Sequence, residues 1–131
     1  MMPIKKTKIL KWFLFLVALH SFIVGIGLIC ITNQLRILLG FSPSMEQFFQ
    51  TQGGIFHIVM AIAYTMGGYN QQKYYSLITF AIIVKLCASV FLFTYYTLIN
   101  SSLLILLSGV TDFIILIVLI VLTQKIKKGH N

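Results

Sequence analysis

Three stretches of this chain, Ile9 to Ile31, Tyr74 to Ile99 and Leu103 to Thr123, are predominantly apolar from end to end. A helix needs about 20 such residues to cross a hydrocarbon layer of about 30 Å, so each stretch is long enough to span a bilayer. A water-soluble fold is excluded by the same feature. Hydrophobic residues make up 59% of the chain and charged ones 9%, too few charges to coat a soluble particle of this size. The runs also lack the dyad alternation of barrel strands, which disfavours a membrane β-barrel.

A fourth span is harder to see. Between Ile55 and Met66 the chain is strictly apolar, but these residues alone fall short of a bilayer. Ser42-Pro43-Ser44 is a helix-start signal, with Ser42 able to cap and Pro43 in the first turn. It predicts a helix from Pro43 to about Gly68, in which Phe48, Phe49, Gly53 and Gly54 complete the crossing. Gln34 to Phe41 is expected to lie along the outer surface as a short amphipathic piece. Gly67 to Lys73 reads as a cytoplasmic turn, and Asn100-Ser101-Ser102 is so short a reversal that the last two helices must form an antiparallel hairpin. The expected fold is all-α: a polytopic membrane protein, one domain over 1-131, built as a four-transmembrane-helix bundle with helices at 9-31, 43-68, 74-99 and 103-123.

The net charge of +8 invites a nucleic-acid reading, and the placement of the charges removes it. Lys5, Lys6, Lys8, Lys11, Lys73, Lys125, Lys127 and Lys128 all fall on the side that holds both ends of a four-span chain. Arg36 alone falls in the other substantial loop. By the positive-inside rule the lysine side is cytoplasmic, in a cell (inner) membrane, and the basic ends read as topology signals and anionic-lipid contacts. The first apolar run is longer than a signal-peptide core and no small-residue cleavage site follows it, so it is expected to stay attached. Cys30, near the outer end of the first helix, and Cys87, deep in the third, are too far apart for a disulfide and are expected to be packing thiols.

Each span carries an ionisable residue at or near membrane depth: His20, His57, Lys85 and Asp112. Such a charge costs roughly 2.5 to 3.5 kcal/mol to insert, so these groups are expected to face the bundle interior, a partner or water. Glu46, Gln50, Gly53, His57 and Tyr64 recur at spacings that place them on one face of the second span. That face reads either as the wall of an outward-facing pocket or as a seam against a neighbouring helix. Ser21, Gly25 and Gly27 give the first span a small-residue face beside His20. Measured from the turn near Ser101, Lys85 and Asp112 are offset by about 5 residues, or roughly 7 Å, within reach of a lysine stem. They are expected to pair, with Ala81, Ala88, Ser89 and Ser108 as small neighbours.

No enzyme signature accompanies these groups. There is no H-E-x-x-H, C-x-x-C or Gly-rich phosphate loop. The two carboxylates, Glu46 and Asp112, lie in separate regions and make poor material for paired acid–base work. No metal site or cofactor is implied, and His20 and His57 differ in depth, which argues against a shared haem.

The order of features resembles the DoxX-like small four-helix membrane proteins. The resemblance rests on Gly25-Ile26-Gly27-Leu28 in the first helix, Leu39-Gly40-Phe41 closing the outer segment, Gly53-Gly54 opening the apolar second helix, and Asp112 in the last. It implies a four-helix bundle and, for some relatives, association with quinone-using membrane oxidoreductases. An arginine common at the start of the second helix in similar proteins is replaced here by Gln50-Thr51-Gln52. Two functions are compatible with the sequence. One is a non-catalytic subunit or accessory factor that packs against other integral membrane proteins or against itself. The other is a binder or carrier of a lipophilic, quinone- or lipid-like, or protonatable ligand, using His20, Gln50, His57, Tyr64, Lys85 and Asp112.

Overall fold

The computed structural model describes residues 7–43 and 46–128. Among these residues there are five helices and no strand: α1 Lys8–Cys30, α2 Asn33–Leu38, α3 Phe48–Tyr69, α4 Tyr75–Leu98 and α5 Leu103–Lys128. Three helical segments are both long and apolar enough to cross a membrane: Lys8–Cys30, Tyr75–Leu98 and Leu103–Gln124. The protein is thus an all-helical chain of membrane type. Lys5 and Lys6, and the side chains of Lys125, Lys127 and Lys128, lie outside the described residues.

The ends of α1 and α2 follow from local chemistry. Thr7 caps α1, its hydroxyl accepting from the Leu10 amide at 3.4 Å, and Thr32 caps α2 by accepting from the Leu35 amide at 3.3 Å. α2 stops at Gly40, whose φ of +83° suits glycine. The Phe41 amide reaches back to the Arg36 carbonyl and the Gly40 amide to that of Ile37, the paired bonds of a Schellman motif. This short helix occupies the place where an amphipathic surface piece is expected.

α3 begins at Phe48, five residues later than the Ser42-Pro43-Ser44 signal predicts; Ser44 lies outside the described residues. The backbone that would have formed the first turn is engaged elsewhere. The Ser42 carbonyl accepts from Arg36 Nε at 3.2 Å and Nη2 at 3.1 Å. The carbonyls of Leu39 and Gly40 accept from Ser102 Oγ and Asn100 Nδ2. These tertiary bonds hold the segment off the helical path. At the other end α3 continues through Gly67 and Gly68, which are buried packing positions rather than a turn. A Cβ on Gly67 would sit 3.2 Å from Ile78 Cγ1, and one on Gly68 3.1 Å from the Phe15 ring. The turn proper is Asn70–Tyr74, where Asn70 accepts from the Lys73 amide through its side chain and from the Tyr74 amide through its carbonyl. α5 runs to Lys128, beyond the expected end at Thr123, because Gln124 to Lys128 contains no helix breaker.

Packing is strongest between α1 and α3 and next between α4 and α5, so the chain is two antiparallel hairpins. The hairpins meet along α3 and α4 and, more sparsely, along α1 and α5. Ile105, near the start of α5, is buried outside their main apolar cluster, which lies in the half nearest the Asn70–Tyr74 turn. The cluster comprises Leu10, Leu14, Val17 and Ala18 of α1, Tyr64 of α3, Ile78 and Ala81 of α4, and Ile115 and Leu119 of α5. In this half Gln71 is also buried and exchanges two bonds with the Thr7 backbone, accepting from its amide at 3.0 Å and donating to its carbonyl at 2.9 Å. The opposite half is fastened by glycine contacts and hydrogen bonds instead. Large apolar side chains including Leu16, Ile23, Phe56, Ile83, Phe91 and Ile114 point outward over the whole surface, as lipid requires and water forbids.

Cys30 and Cys87 are free and exposed. They belong to this outer surface and do not pack in the interior, which corrects the expectation of packing thiols.

Candidate functional site

Midway along α4 and α5 the structure brings Lys85 and Asp112 together in a direct Nζ to Oδ1 ion pair, and both residues are buried. The pair forms because the α4–α5 turn sets the register and because small residues flank it. Ala81 and Ser89, one turn either side of Lys85, are buried with it. Ser89 Oγ donates to the Lys85 carbonyl at 2.8 Å, returning its own hydroxyl to the helix. On α5 the close approach comes from Gly109, where a Cβ would lie 3.3 Å from Leu92 Cβ and 3.2 Å from the Phe93 ring. Ser108, the expected small neighbour, is exposed.

Tyr64 of α3 closes the pair from the other hairpin. Its ring centroid is 6.0 Å from Lys85 Nζ, at the outer limit of a cation–π contact, and the residue is only 2% exposed. Lys85 is therefore held by a carboxylate from α5 and an aromatic face from α3. Here a charge links the two hairpins.

The histidines have different fates. His57 of α3 meets Ser21 of α1: Ser21 Oγ donates to the His57 carbonyl at 2.9 Å and lies 3.3 Å from Nδ1. One helical turn away, Gly25 and Gly54 cross back to back. His20, also on α1, is half-buried and makes no hydrogen bond to any described residue. It lines a groove between α1 and α5.

Gln50 lies apart from the charged pair, in the fastening at the opposite end. Its Nε2 donates to the Leu28 carbonyl at 2.8 Å, and its Oε1 accepts from Arg36 Nη1. Of the face read from the sequence, Tyr64 is buried, Gln50, Gly53 and His57 are half-buried, and Glu46 is exposed. The structure thus divides five of the six polar residues into three groups: Lys85, Asp112 and Tyr64 together; His57 with Ser21; Gln50 with Arg36. His20 stands by itself.

Sequence reasoning missed four participants. Arg36 is a clamp on Gln50 and Ser42 as well as the lone outer charge. Asn100 and Ser102 tie the α4–α5 turn to the α2 exit. Gln71 locks the start of α1. Their signal in the sequence is faint, because a polar residue in a short loop is ordinary. Gly109 was missed as well, although a glycine three residues before a buried charge is a readable sign of close helix approach.

No family model, curated protein or solved structure matches this chain.

Proposed function

We propose that this protein is a non-catalytic component of a larger membrane assembly, crossing the cell membrane four times with both ends in the cytoplasm. What carries the reading is that most of the polar groups of the interior are satisfied by one another. Lys85 takes Asp112 and the Tyr64 face, Ser89 returns to its own helix, and Ser21 takes His57. Such closed pairing specifies how helices assemble. Among the described residues it engages Lys85, Asp112 and His57 with neighbouring side chains or backbone. The resemblance to DoxX-like proteins agrees with this reading, since some of those associate with membrane oxidoreductases.

α3 supplies the fourth crossing. It is 22 residues long, or roughly 33 Å at 1.5 Å per residue. Its polar first turns, Gln50 to Gln52, would lie at the outer interface. The placement of the lysines sets the orientation. In a chain freed of Cys30 and Cys87, a cysteine at exposed Gln34 should react with an impermeant maleimide in intact cells, and one at Lys73 only after lysis. Reaction at Lys73 alone would reverse the orientation, and reaction at both would remove the fourth crossing.

For the assembly itself, extraction from native membranes in mild detergent followed by native mass spectrometry should show a stoichiometric complex. A monomer carrying nothing but lipid would overturn the assignment in favour of a ligand-binding role.

A further inference from the structure

His20 sits at the middle of α1, on the wall of a groove between α1 and α5 that also includes Phe13, Leu16, Thr111, Ile114 and Ile115. The groove has a volume of about 370 Å³, at the lower end of the roughly 300 to 1,000 Å³ typical of small-molecule sites. It follows the sparser of the two contacts between the hairpins. Its lining is almost wholly apolar, and the imidazole is the exception. The Thr111 hydroxyl gives its proton to the Leu107 carbonyl at 2.8 Å, leaving only lone pairs to offer. The His20 ring bonds to no described residue, although an imidazole in an apolar medium loses several kcal/mol of hydration when left without a partner.

Three features narrow what fits. The groove faces outward between helices, so its occupant arrives from the membrane. Its walls are large side chains, Phe13, Leu16 and Ile114, whereas close docking of another helix calls for glycine, alanine or serine at the contact. A slim chain can enter where a helix cannot. Finally, the charges that act on His20 are Lys85 and Asp112, with His57 of α3 the other titratable group nearby. Lys85 and Asp112 neutralise each other, so no counter-ion is left for a charged headgroup.

We infer that the α1–α5 groove is a binding site for a single-chain amphiphile with a neutral hydrogen-bonding head, which bonds to the His20 imidazole while its tail lies along Leu16 and Ile114. The site does not depend on the assembly role proposed above and would exist in the isolated chain.

The test uses the full chain in phosphatidylcholine nanodiscs with a diazirine-bearing hexadecanol, with the corresponding alkane and fatty acid as comparators. Labelling by the alcohol should saturate, be displaced by unlabelled hexadecanol, and map by mass spectrometry to α1 and α5 around Leu16 and Ile114. His20→Leu should weaken binding about tenfold, equivalent to about 1.4 kcal/mol, while His20→Gln, which keeps a donor and an acceptor, should retain it. Ile114→Trp fills the groove without touching the imidazole and should abolish site labelling even if His20→Leu fails to fold. Labelling spread over the exposed faces of α3 and α4, or undiminished in both His20→Leu and Ile114→Trp, would overturn the site. Stronger labelling by the acid than by the alcohol would overturn the neutral head, and equal labelling by the alkane would overturn the role of His20.

Discussion

Lys85→Met and Asp112→Leu, made singly, should each destabilise the membrane-embedded chain by about 3 to 5 kcal/mol, whereas the double variant should lie within about 1 kcal/mol of the parent. Each single change leaves a buried charge facing a hydrocarbon side chain at the centre of the α4–α5 contact. The neighbours offer only a weak replacement: Ala81 is apolar, and the Ser89 hydroxyl, whose proton goes to the Lys85 carbonyl, has a neutral lone pair for an ammonium and nothing for a carboxylate. Removing both charges converts the site into an ordinary apolar helix contact, with Tyr64 still covering it. Reversible unfolding in mixed dodecylmaltoside–SDS micelles would measure the cycle. Losses that simply add would mean that Lys85 and Asp112 do not act as a unit. The same variants bear on function. If the pair serves assembly through fold alone, the double variant will still form the native complex. If it is stable and yet no longer forms that complex, the charges themselves are recognised by a partner.

The Lys85–Asp112 pair was legible in the sequence because both of its determinants are local. A three-residue reversal fixes the register of two helices, and the cost of an isolated charge in lipid makes a partner almost obligatory. The three apolar spans were legible for the same reason, since bilayer thickness sets their length. The start of α3 was not legible. Ser42-Pro43 is a sound local signal, but it is overridden by Arg36 nearby and by Asn100 and Ser102, which are distant in sequence, and no window around Pro43 contains those two. The partner of His57 was hidden in a different way. Spacing placed Ser21 and Gly25 on one face of α1 and His57 on one face of α3, but nothing in either pattern fixed how far the two helices slide along each other. The crossing of Gly25 with Gly54 sets that slide.

That crossing supports the second large effect. An ideal Cβ on Gly54 would fall 2.7 Å from both the Gly25 carbonyl oxygen and Ile29 Cγ1, and one on Gly25 would fall 2.8 Å from the Gly54 carbonyl oxygen and Ile58 Cγ1. A flexible side chain can turn away from such a contact, but a backbone carbonyl moves only with its helix. The obstruction is therefore to the α1–α3 pair as a whole, the most extensive contact in the molecule. Gly54→Ala and Gly25→Ala should each lose about 1 to 3 kcal/mol through overpacking, and leucine at either position should lose more. The adjacent glycines supply the control. Gly53 faces only Leu28 Cδ1 at 3.9 Å, and Gly27 has nothing within 4 Å. There the helix preference for alanine over glycine, about 1 kcal/mol, should act unopposed. Gly53→Ala and Gly27→Ala should be neutral or stabilising, so Gly53 and Gly54, neighbours on the same helix, should answer the same substitution with opposite signs. Ile58, which packs on Gly25, should tolerate alanine less well than outward-facing Ile55. Thermal unfolding of the six alanine variants in one detergent would show the pattern, and similar losses at Gly53 and Gly54 would mean that α1 and α3 do not cross at these residues.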